Sequence, residues 1–304
     1  MSLFRSIKKI SCVLVAVMIL SLSALPVFAA TTIEVKHVTD ISVSEDNWWD
    51  RGVQYGRILV LNNQPEEENN ALLATHCELN SGLTENAPGY PIYRSTDNGK
   101  TWKVITRVTD TLTGANSEWN PTLFELSKPC GDYPAGTIIL AACSIDPEHN
   151  KESHIRLYFS LDGGYTFDQG VVVASAGGLV CFYSDDSDSK HSQTIVYKQS
   201  KDGINWGKAV TVVASENPEE RPGMPIVTRL SDGSYFMVYE IFNKADIEGE
   251  PIFCRFSKDG LNWGDPSYLG EAVETAIGKK ALGAAPYCAW TPVGGEYGTL
   301  IVSG

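Results

Sequence analysis

SLDGGYTF, residues 160–167, is one of four copies of a short pattern that joins a serine, an aspartate, a glycine, a threonine or asparagine and an aromatic residue. Each copy lies between two short runs of β-branched and aromatic residues, which predicts a turn between antiparallel strands. In such a turn the aspartate accepts backbone N–H groups and the glycine takes a positive φ. The other copies are STDNGKTW at 95–102, SKDGINW at 200–206 and SKDGLNW at 257–263.

The aspartates of the four copies follow one another at intervals of 65, 40 and 57 residues. Carboxylates spread so widely along a chain cannot share one active site, and no loop here has the acidic density of a calcium site, so we predict a structural role. A period near 60, with about four short strands per unit and almost no helical periodicity, is typical of a β-propeller blade. The four residues are Asp97, Asp162, Asp202 and Asp259.

The first thirty residues are of a different kind. Arg5, Lys8 and Lys9 precede an apolar run over 10–25, which is followed by small residues. This order is typical of a secretory signal peptide, here residues 1–29, and predicts an exported protein. An uncleaved membrane anchor is the alternative, but a run of about 16 residues is short for a membrane span.

Charge and composition restrict the class of partner. Three of the 24 basic residues lie in the leader, so 21 remain against 37 acidic residues, a net charge of −16. Such a surface repels phosphate backbones and anionic lipids, so we predict no nucleic-acid partner and no membrane partner after cleavage. A neutral sugar polymer is compatible with it. The 43% hydrophobic content predicts a substantial core rather than disorder.

The cysteines of the exported part are even in number, which allows a disulfide framework. Several lie inside apolar runs such as IILAACSI, which instead predicts buried free thiols. No Cys/His spacing suggests zinc, so we expect neither a metal nor a cofactor. The six are Cys77, Cys130, Cys143, Cys181, Cys254 and Cys288.

The four copies resemble the Asp-box repeats of the sialidase superfamily, whose members are six-bladed β-propellers with a sugar site at one end of the central channel. The segments 118–145, 178–207 and 221–240 are more similar to the exo-arabinanase-type glycoside hydrolases of that superfamily than to sialidases. The resemblance runs from about residue 45 to the C-terminus. It implies a secreted glycosidase that acts on the non-reducing end of a polysaccharide or oligosaccharide.

Glu240 is the candidate catalytic residue. It closes the predicted strand YFMVYE at 235–240, where alternation places it on the face of Phe236 and Val238. A carboxylate there is costly unless it is partnered or used. The resemblance implies that Glu240 is the nucleophile, and the alternative is an exposed glutamate held by Arg221.

Four further residues are candidate substrate ligands. Arg221 begins RPGMP, whose prolines stiffen the entrance to a strand. The acidic loop at 184–191 resembles a substrate-side loop of the family and offers Asp185 and His191. Trp119 offers a face on which a sugar ring can stack. The alternatives are a surface turn for the arginine, a solvated loop for the acidic segment and interior packing for the tryptophan.

The second carboxylate that glycoside hydrolysis requires is missing from its expected place. In the relatives a Trp-Glu-Pro-Phe segment supplies the acid just before the strand that matches 179–185, but here VVVASAGG at 171–178 runs directly into that strand. The interval of 40 residues between Asp162 and Asp202 shows the same shortening, by about 20 residues. We therefore expect impaired catalysis.

The domain at 30–304 is also short for six blades, which at about 60 residues each need about 360. We expect an incomplete propeller, internally shortened near 178/179 and truncated at the C-terminus, or else an open or five-bladed variant. The catalytic tyrosine that some relatives carry in a late blade would fall beyond Gly304.

Two other functions are compatible with the sequence. An exo-sialidase would use a tyrosine nucleophile, a glutamate partner and three arginines. Arg57 in GRIL resembles the first of these arginines, although Leu59 stands where the sialidase pattern has proline. A non-catalytic carbohydrate-binding propeller is favoured by the missing acid.

Overall fold

Short β-branched and aromatic runs form strands throughout the chain, because glycine, asparagine, aspartate and proline interrupt them every few residues. A computed structural model describes residues 39–41, 53–78, 89–110, 117–145, 153–169, 178–247, 249–275, 278–281 and 283–304. These residues form seventeen strands in five antiparallel sheets, and no helix. The all-β prediction is confirmed. The predicted signal peptide, residues 1–29, lies outside the described residues.

The first two sheets are four-stranded meanders, in which consecutive strands are neighbours. The first contains β1 (Val53–Val60), β2 (Leu72–Glu78), β3 (Tyr90–Ser95) and β4 (Lys103–Val108). The second contains β5 (Ser117–Glu125), β6 (Ile138–Ile145), β7 (Ser153–Ser160) and β8 (Asp168–Gln169).

The remaining three sheets have the same meander order but differ in size. The third contains β9 (Leu179–Asp185), β10 (Thr194–Ser200) and β11 (Val210–Ala214). The fourth contains β12 (Arg221–Arg229), β13 (Tyr235–Phe242), β14 (Ile252–Ser257) and β15 (Glu271–Ala272). The fifth contains β16 (Tyr287–Thr291) and β17 (Thr299–Ser303).

The hydrophobic core is divided among the spaces between successive sheets. Each cluster combines apolar side chains from two neighbouring sheets, so every sheet packs face to face against the next, as propeller blades do. Full burial of one large apolar side chain contributes roughly 2 kcal/mol. From the first interface to the last, representative pairs are Leu73 with Leu140, Phe159 with Leu179, Ile195 with Met237, and Val238 with Cys288.

The four repeated turns connect the third and fourth strands of a sheet, or the corresponding strands of the third sheet, which confirms the predicted hairpins. In the second sheet, Oδ1 of Asp162 accepts the Thr166 N–H at 2.9 Å and Oδ2 accepts its hydroxyl at 2.6 Å. The Ser160 hydroxyl oxygen accepts the Gly164 N–H at 2.8 Å. In the other copies Asp97, Asp202 and Asp259 accept the N–H groups of Thr101, Asn205 and Asn262.

The third sheet differs from its neighbours at the edge where a complete sheet carries its first strand. Its repeated turn joins β10 to β11, so these strands correspond to the third and fourth of a complete sheet and β9 to the second. Within the described residues, this sheet has no counterpart of β1, β5 or β12. The predicted shortening near 178/179 and the predicted truncation at the C-terminus stay predictions.

The cysteine side chains are unbridged in the structure. All six cysteines at positions 77, 130, 143, 181, 254 and 288 are free thiols, and three of them are buried. Burial raises the pKa of the Cys181 thiol to about 11 and that of Cys288 to about 12. These thiols therefore act as small packing groups. Among the described residues, no helix has the length and the apolar character needed to cross a bilayer.

Candidate active site

Most of the predicted site residues lie at one end of the sheets, which we call the site end. It is the end at which the first strand of a sheet begins and the second strand ends. The repeated aspartate turns follow the third strands and therefore lie at the opposite end. The site end carries Arg57 on β1, Trp119 on β5, Asp185 on β9, Arg221 on β12 and Glu240 on β13.

The first strands share an irregularity at the site end. The ladders of β1, β5 and β12 each shift register close to their start, and each shift contains one non-glycine residue with positive φ. A fourth such residue lies two positions before the start of β16. Three of the four are followed by proline, which fixes the next φ. The residues are Tyr55 (φ 57°), Asn120 (φ 52°), Met224 (φ 54°) and Ala285 (φ 53°). They are called the bulge residues below.

The N–H groups of three bulge residues donate to the end of the second strand in the preceding sheet. Asn120 donates to the Cys77 thiol. The N–H of Met224 donates to the Ser184 hydroxyl oxygen at 3.2 Å. In the last case, the N–H of Ala285 donates to Oε2 of Glu240 at 2.6 Å. Cys77, Ser184 and Glu240 occupy equivalent positions in their sheets. The same hydrogen bond between neighbouring blades is therefore accepted by a thiol, a hydroxyl and a carboxylate in turn.

Glu240 is half-buried on the face that the alternation predicts. Phe236 and Val238 on this face belong to the core between the fourth and fifth sheets. Burial raises the pKa of the Glu240 carboxyl, and the negative charge of Glu250 acts in the same direction. The Ala285 N–H and the positive charge of Arg221 lower it. The Glu240 carboxylate is therefore fixed by a backbone hydrogen bond, and its proton affinity exceeds that of an exposed glutamate.

Strand register places two charged residues beside Glu240. Arg221 pairs with Phe242, two residues beyond Glu240, so its side chain shares the face of Glu240. On the other side Glu240 pairs with Ile252, and the Ile241 N–H donates to the Pro251 carbonyl at 3.3 Å. Continuing this register puts Glu250 opposite Phe242 and on the same face. Arg221 on one neighbouring strand and Glu250 beyond the end of the other are therefore the diagonal cross-strand neighbours of Glu240.

Arg57 lies within an aromatic group at the site end. Its guanidinium stacks over the Tyr287 ring, with 5.1 Å between the guanidinium carbon and the ring centroid. Burial lowers the pKa of Arg57 and raises that of Tyr287. The pKa of Tyr55 is raised by burial and by the charges of Cys77 and Glu240, while Arg57 lowers it. The Tyr55 hydroxyl group therefore interacts electrostatically with both Arg57 and the Glu240 carboxylate.

Trp119 extends this aromatic group onto β5. Its half-buried ring lies 6.3 Å from the Tyr55 ring, tilted by 49°. Two buried polar atoms here have no hydrogen-bond partner within the described part of the chain, Nε of Arg57 and Oδ1 of Asn120. One is a donor and the other an acceptor, which matches the two capacities of a sugar hydroxyl.

Asp185 and His191 hydrogen-bond within the third sheet and its loops. Oδ1 of Asp185 accepts the Ser187 N–H at 2.9 Å. Nδ1 of His191 lies 2.9 Å from the Ser215 carbonyl oxygen. The same loop reaches the fourth sheet through Gln193, whose amide accepts from Arg221 at 3.2 Å. The roles of both predicted residues stay predictions.

The structure brings Glu240, Arg221, Arg57 and Trp119 to one region and keeps the aspartate turns away from it. Sequence reasoning missed Ala285, Tyr287, Asn120, Gln193 and Glu250. The sequence did contain a signal for three of the bulge residues, each of which is followed by proline: Asn-Pro at 120–121 lies in β5, Met-Pro at 224–225 lies in β12, and Ala-Pro at 285–286 directly precedes β16. Among the described residues, no group of three metal-ligating side chains is present.

Solved structures that are similar to this chain include an α-L-arabinofuranosidase and an α-L-arabinanase. An α-L-arabinofuranosidase of Fusarium graminearum, solved as a mutant with an iminosugar inhibitor, is 30% identical over 83% of this chain and 74% of its own, with a TM-score of 0.70. An α-L-arabinanase of Penicillium chrysogenum, complexed with arabinobiose, is 34% identical with the same coverage and a TM-score of 0.68. No family model matches the sequence. No curated protein matches it either.

Proposed function

Since this chain belongs to glycoside hydrolase family 93, with a sialidase-like β-propeller fold, we propose that it acts on terminal arabinofuranosyl groups at the non-reducing ends of arabinan-type glycans. The F. graminearum member, 30% identical to this chain, is also solved with arabinobiose. These structures therefore support arabinose oligosaccharides as the substrate class.

The observation that carries the proposal is the half-buried Glu240 carboxylate, which a backbone N–H group fixes in place. It lies on an apolar face, its Oε2 is fixed by the Ala285 N–H at 2.6 Å, and Arg221 shares its face. The hydrogen bond occupies Oε2 and fixes the orientation of the carboxylate. The other oxygen, Oε1, is therefore available to attack an electrophilic carbon. Glu240 is the proposed nucleophile.

The surrounding side chains suit a furanose with several hydroxyl groups. Arg57 and Asn120 present a donor and an acceptor. Trp119, Tyr55 and Tyr287 provide aromatic faces beside them. In the proposal, the aromatic group binds the apolar face of the sugar while the polar atoms select its hydroxyls.

We propose that catalysis is weaker than in a family member that carries both catalytic carboxylates. The expected acid-bearing segment precedes β9, and the described part of the third sheet contains only three strands. Loss of a general acid typically costs about 10²- to 10⁴-fold in rate while binding persists. A carbohydrate-binding propeller with little activity is therefore the second candidate function.

An exo-sialidase is the other enzyme candidate. The observation that favours it is the placement of Tyr287 against Arg57, with Tyr55 and Glu240 nearby, because a tyrosine nucleophile with a glutamate partner is the sialidase arrangement. In this reading, Tyr287 rather than Glu240 attacks the anomeric carbon.

Product analysis separates these functions. The protein is incubated with linear arabinan, branched arabinan and a sialyl conjugate, and the released monosaccharides are identified by chromatography. The proposal expects arabinose alone, released from chain ends and lost in Glu240→Gln. Release of sialic acid favours the sialidase, and binding of arabinan without any release favours the binding protein.

We also propose that the protein is exported after cleavage of residues 1–29. The order of basic, apolar and small residues in this segment supports the proposal. Expression in the native host followed by N-terminal sequencing of protein from the medium tests it. A cell-bound protein that retains its leader contradicts it.

A further inference from the structure

The side chain of Gln193 joins the third sheet to the first residues of β12. Gln193 immediately precedes β10 and is half-buried. Its Nε2 donates to the Pro222 carbonyl at 2.9 Å, and its Oε1 accepts a hydrogen bond from Nη2 of Arg221 at 3.2 Å. Two consecutive residues of β12 therefore hold both ends of one amide, which gives it a defined orientation at the site end.

Gly223 makes room for this amide. A Cβ atom at position 223 would overlap Nε2 of Gln193, although the backbone of Gly223 does not adopt positive φ. Glycine therefore serves close approach here rather than an unusual conformation. Gly223 is also the register partner of Glu240 on β13. The Gln193 amide thus packs against the strand residue directly opposite the candidate nucleophile.

The guanidinium of Arg221 is held at two points, although the side chain is exposed. Gln193 accepts from one of its nitrogens, and its central carbon lies 5.4 Å from the ring centroid of Phe242, the cross-strand partner. The backbone is fixed as well, because the adjacent Glu220 is buried and accepts the Ser215 hydroxyl at 2.6 Å. An arginine without such contacts samples many rotamers, so these contacts determine where the charge lies.

Charged and polar groups act on the Glu240 carboxyl from every element around it. Arg221 on β12 lowers its pKa, and Glu250 in the loop before β14 raises it. Tyr55 on β1 also interacts with it electrostatically, and the segment before β16 contributes the Ala285 N–H. Of these groups, Arg221 alone carries a positive charge, so its position affects how readily Glu240 ionises.

We propose that Gln193 is a positioning residue, which holds the Arg221 guanidinium close to Glu240 and so keeps that carboxylate ionised for attack. The inference rests on the proposed function for the role of Glu240 as nucleophile. Gln193 acts through Arg221 and not on the reacting atoms. Without the amide, Arg221 keeps its stacking contact with Phe242 but gains rotameric freedom, and the mean distance from its charge to Glu240 increases.

A ¹³C NMR titration of the Glu240 carboxyl tests the inference without depending on catalysis. The protein is labelled with glutamate that carries ¹³C at the carboxyl carbon, and the Glu240 signal is assigned by its absence in Glu240→Gln. Gln193→Met removes both hydrogen bonds but keeps most of the side-chain volume, and the Glu240 titration is expected to move to higher pH. Gly223→Ala displaces the amide without removing it and is expected to shift the titration in the same direction.

A double-mutant cycle shows whether Gln193 acts through Arg221. Arg221→Met should move the Glu240 titration to higher pH, and adding Gln193→Met to this variant should produce no further shift. Gln199→Met is the matched control, because Gln199 is an exposed glutamine near the other end of β10, away from the site end. It is expected to leave the titration unchanged.

Hydrolysis of 2,4-dinitrophenyl α-L-arabinofuranoside is the kinetic counterpart, because this leaving group departs without a proton and the acidic limb then reports the nucleophile. On that limb, kcat/KM of Gln193→Met should fall about 2- to 10-fold, and at neutral pH it should approach that of the wild type. An unchanged Glu240 titration in Gln193→Met, or a further shift in the double variant, overturns the role of Gln193. A wild type that does not hydrolyse the aryl substrate contradicts the proposed function, while the titrations still decide whether Gln193 positions Arg221.

Discussion

The backbone N–H of Ala285 donates a 2.6 Å hydrogen bond to Oε2 of Glu240, and Ala285 makes this bond from a left-handed conformation with φ of 53°. Equivalent bonds to Cys77 and Ser184 show that the fold supplies this connection whatever side chain accepts it. The candidate nucleophile therefore occupies a structural position of the propeller and is oriented by it.

Replacing Ala285 with valine is expected to disturb this bond. A β-branched residue is strained at positive φ, so the free energy of unfolding should fall by about 1–3 kcal/mol. Because the N–H lowers the pKa of Glu240, a weaker bond lets that pKa rise, and the acidic limb of the pH–rate profile should move to higher pH. Urea denaturation and the pH dependence of kcat/KM measure the two effects.

Ala285→Gly is the control for this substitution. Glycine keeps the N–H and adopts positive φ without strain, so the pH profile should match that of the wild type. A valine variant with the wild-type profile shows that the bond does not tune Glu240.

Asn120 is expected to bind a sugar hydroxyl through its buried Oδ1, which has no hydrogen-bond partner within the described residues. In a Glu240→Gln background that prevents turnover, Asn120→Ala should weaken arabinobiose binding about tenfold, the equivalent of one hydrogen bond of about 1.4 kcal/mol. Isothermal titration calorimetry measures the dissociation constant. Asn120→Asp keeps an acceptor oxygen and should stay close to the parent. Equal affinities of the alanine variant and the parent contradict the assignment.

Local chemistry explains how much of this molecule the sequence predicted. The aspartate turns were readable because each contains its own acceptor, glycine and aromatic residue within eight positions, as around Asp162. The face of Glu240 followed from the period of two along β13. The partners Ala285 and Glu250 were not readable, because strand register and packing between sheets bring them to Glu240 from 45 and 10 residues away.

The aspartate turns should make stability depend on pH. Hydrogen bonds, first among them the N–H and hydroxyl of Thr101, lower the pKa of Asp97 from 3.8 to about 2. A carboxyl with a lowered folded-state pKa stabilises the fold fully above its unfolded pKa and loses that contribution as pH falls through the folded value. Unfolding midpoints should therefore decrease between about pH 4 and pH 2.

Asp97→Asn removes one titrating group from this transition. Its midpoint should be lower than that of the wild type at neutral pH and should change less between pH 4 and pH 2. Thermal unfolding followed by circular dichroism measures both. Parallel curves for the two proteins contradict a role of Asp97 in acid sensitivity.

Glu125 is expected to fix the first sheet to the second. This buried carboxylate accepts the N–H groups of Asn62 and Asn63 at 2.8 and 3.1 Å and the side-chain amide of Gln64 at 2.7 Å. Glu125→Ala leaves these donors without acceptors and should cost about 2–4 kcal/mol in the free energy of unfolding. Glu125→Gln keeps one acceptor oxygen and should cost less. Denaturant titration measures the free energy of unfolding of each variant. A loss below about 0.5 kcal/mol in the alanine variant contradicts this role.

The identity of the attacking residue can be read directly from a trapped intermediate. The protein is incubated with a 2-fluoro arabinofuranoside that carries an activated leaving group, digested, and analysed by peptide mass spectrometry. We predict a single arabinosyl label on Glu240. A label on Tyr287, or turnover of the substrate without any label on Glu240, contradicts the account.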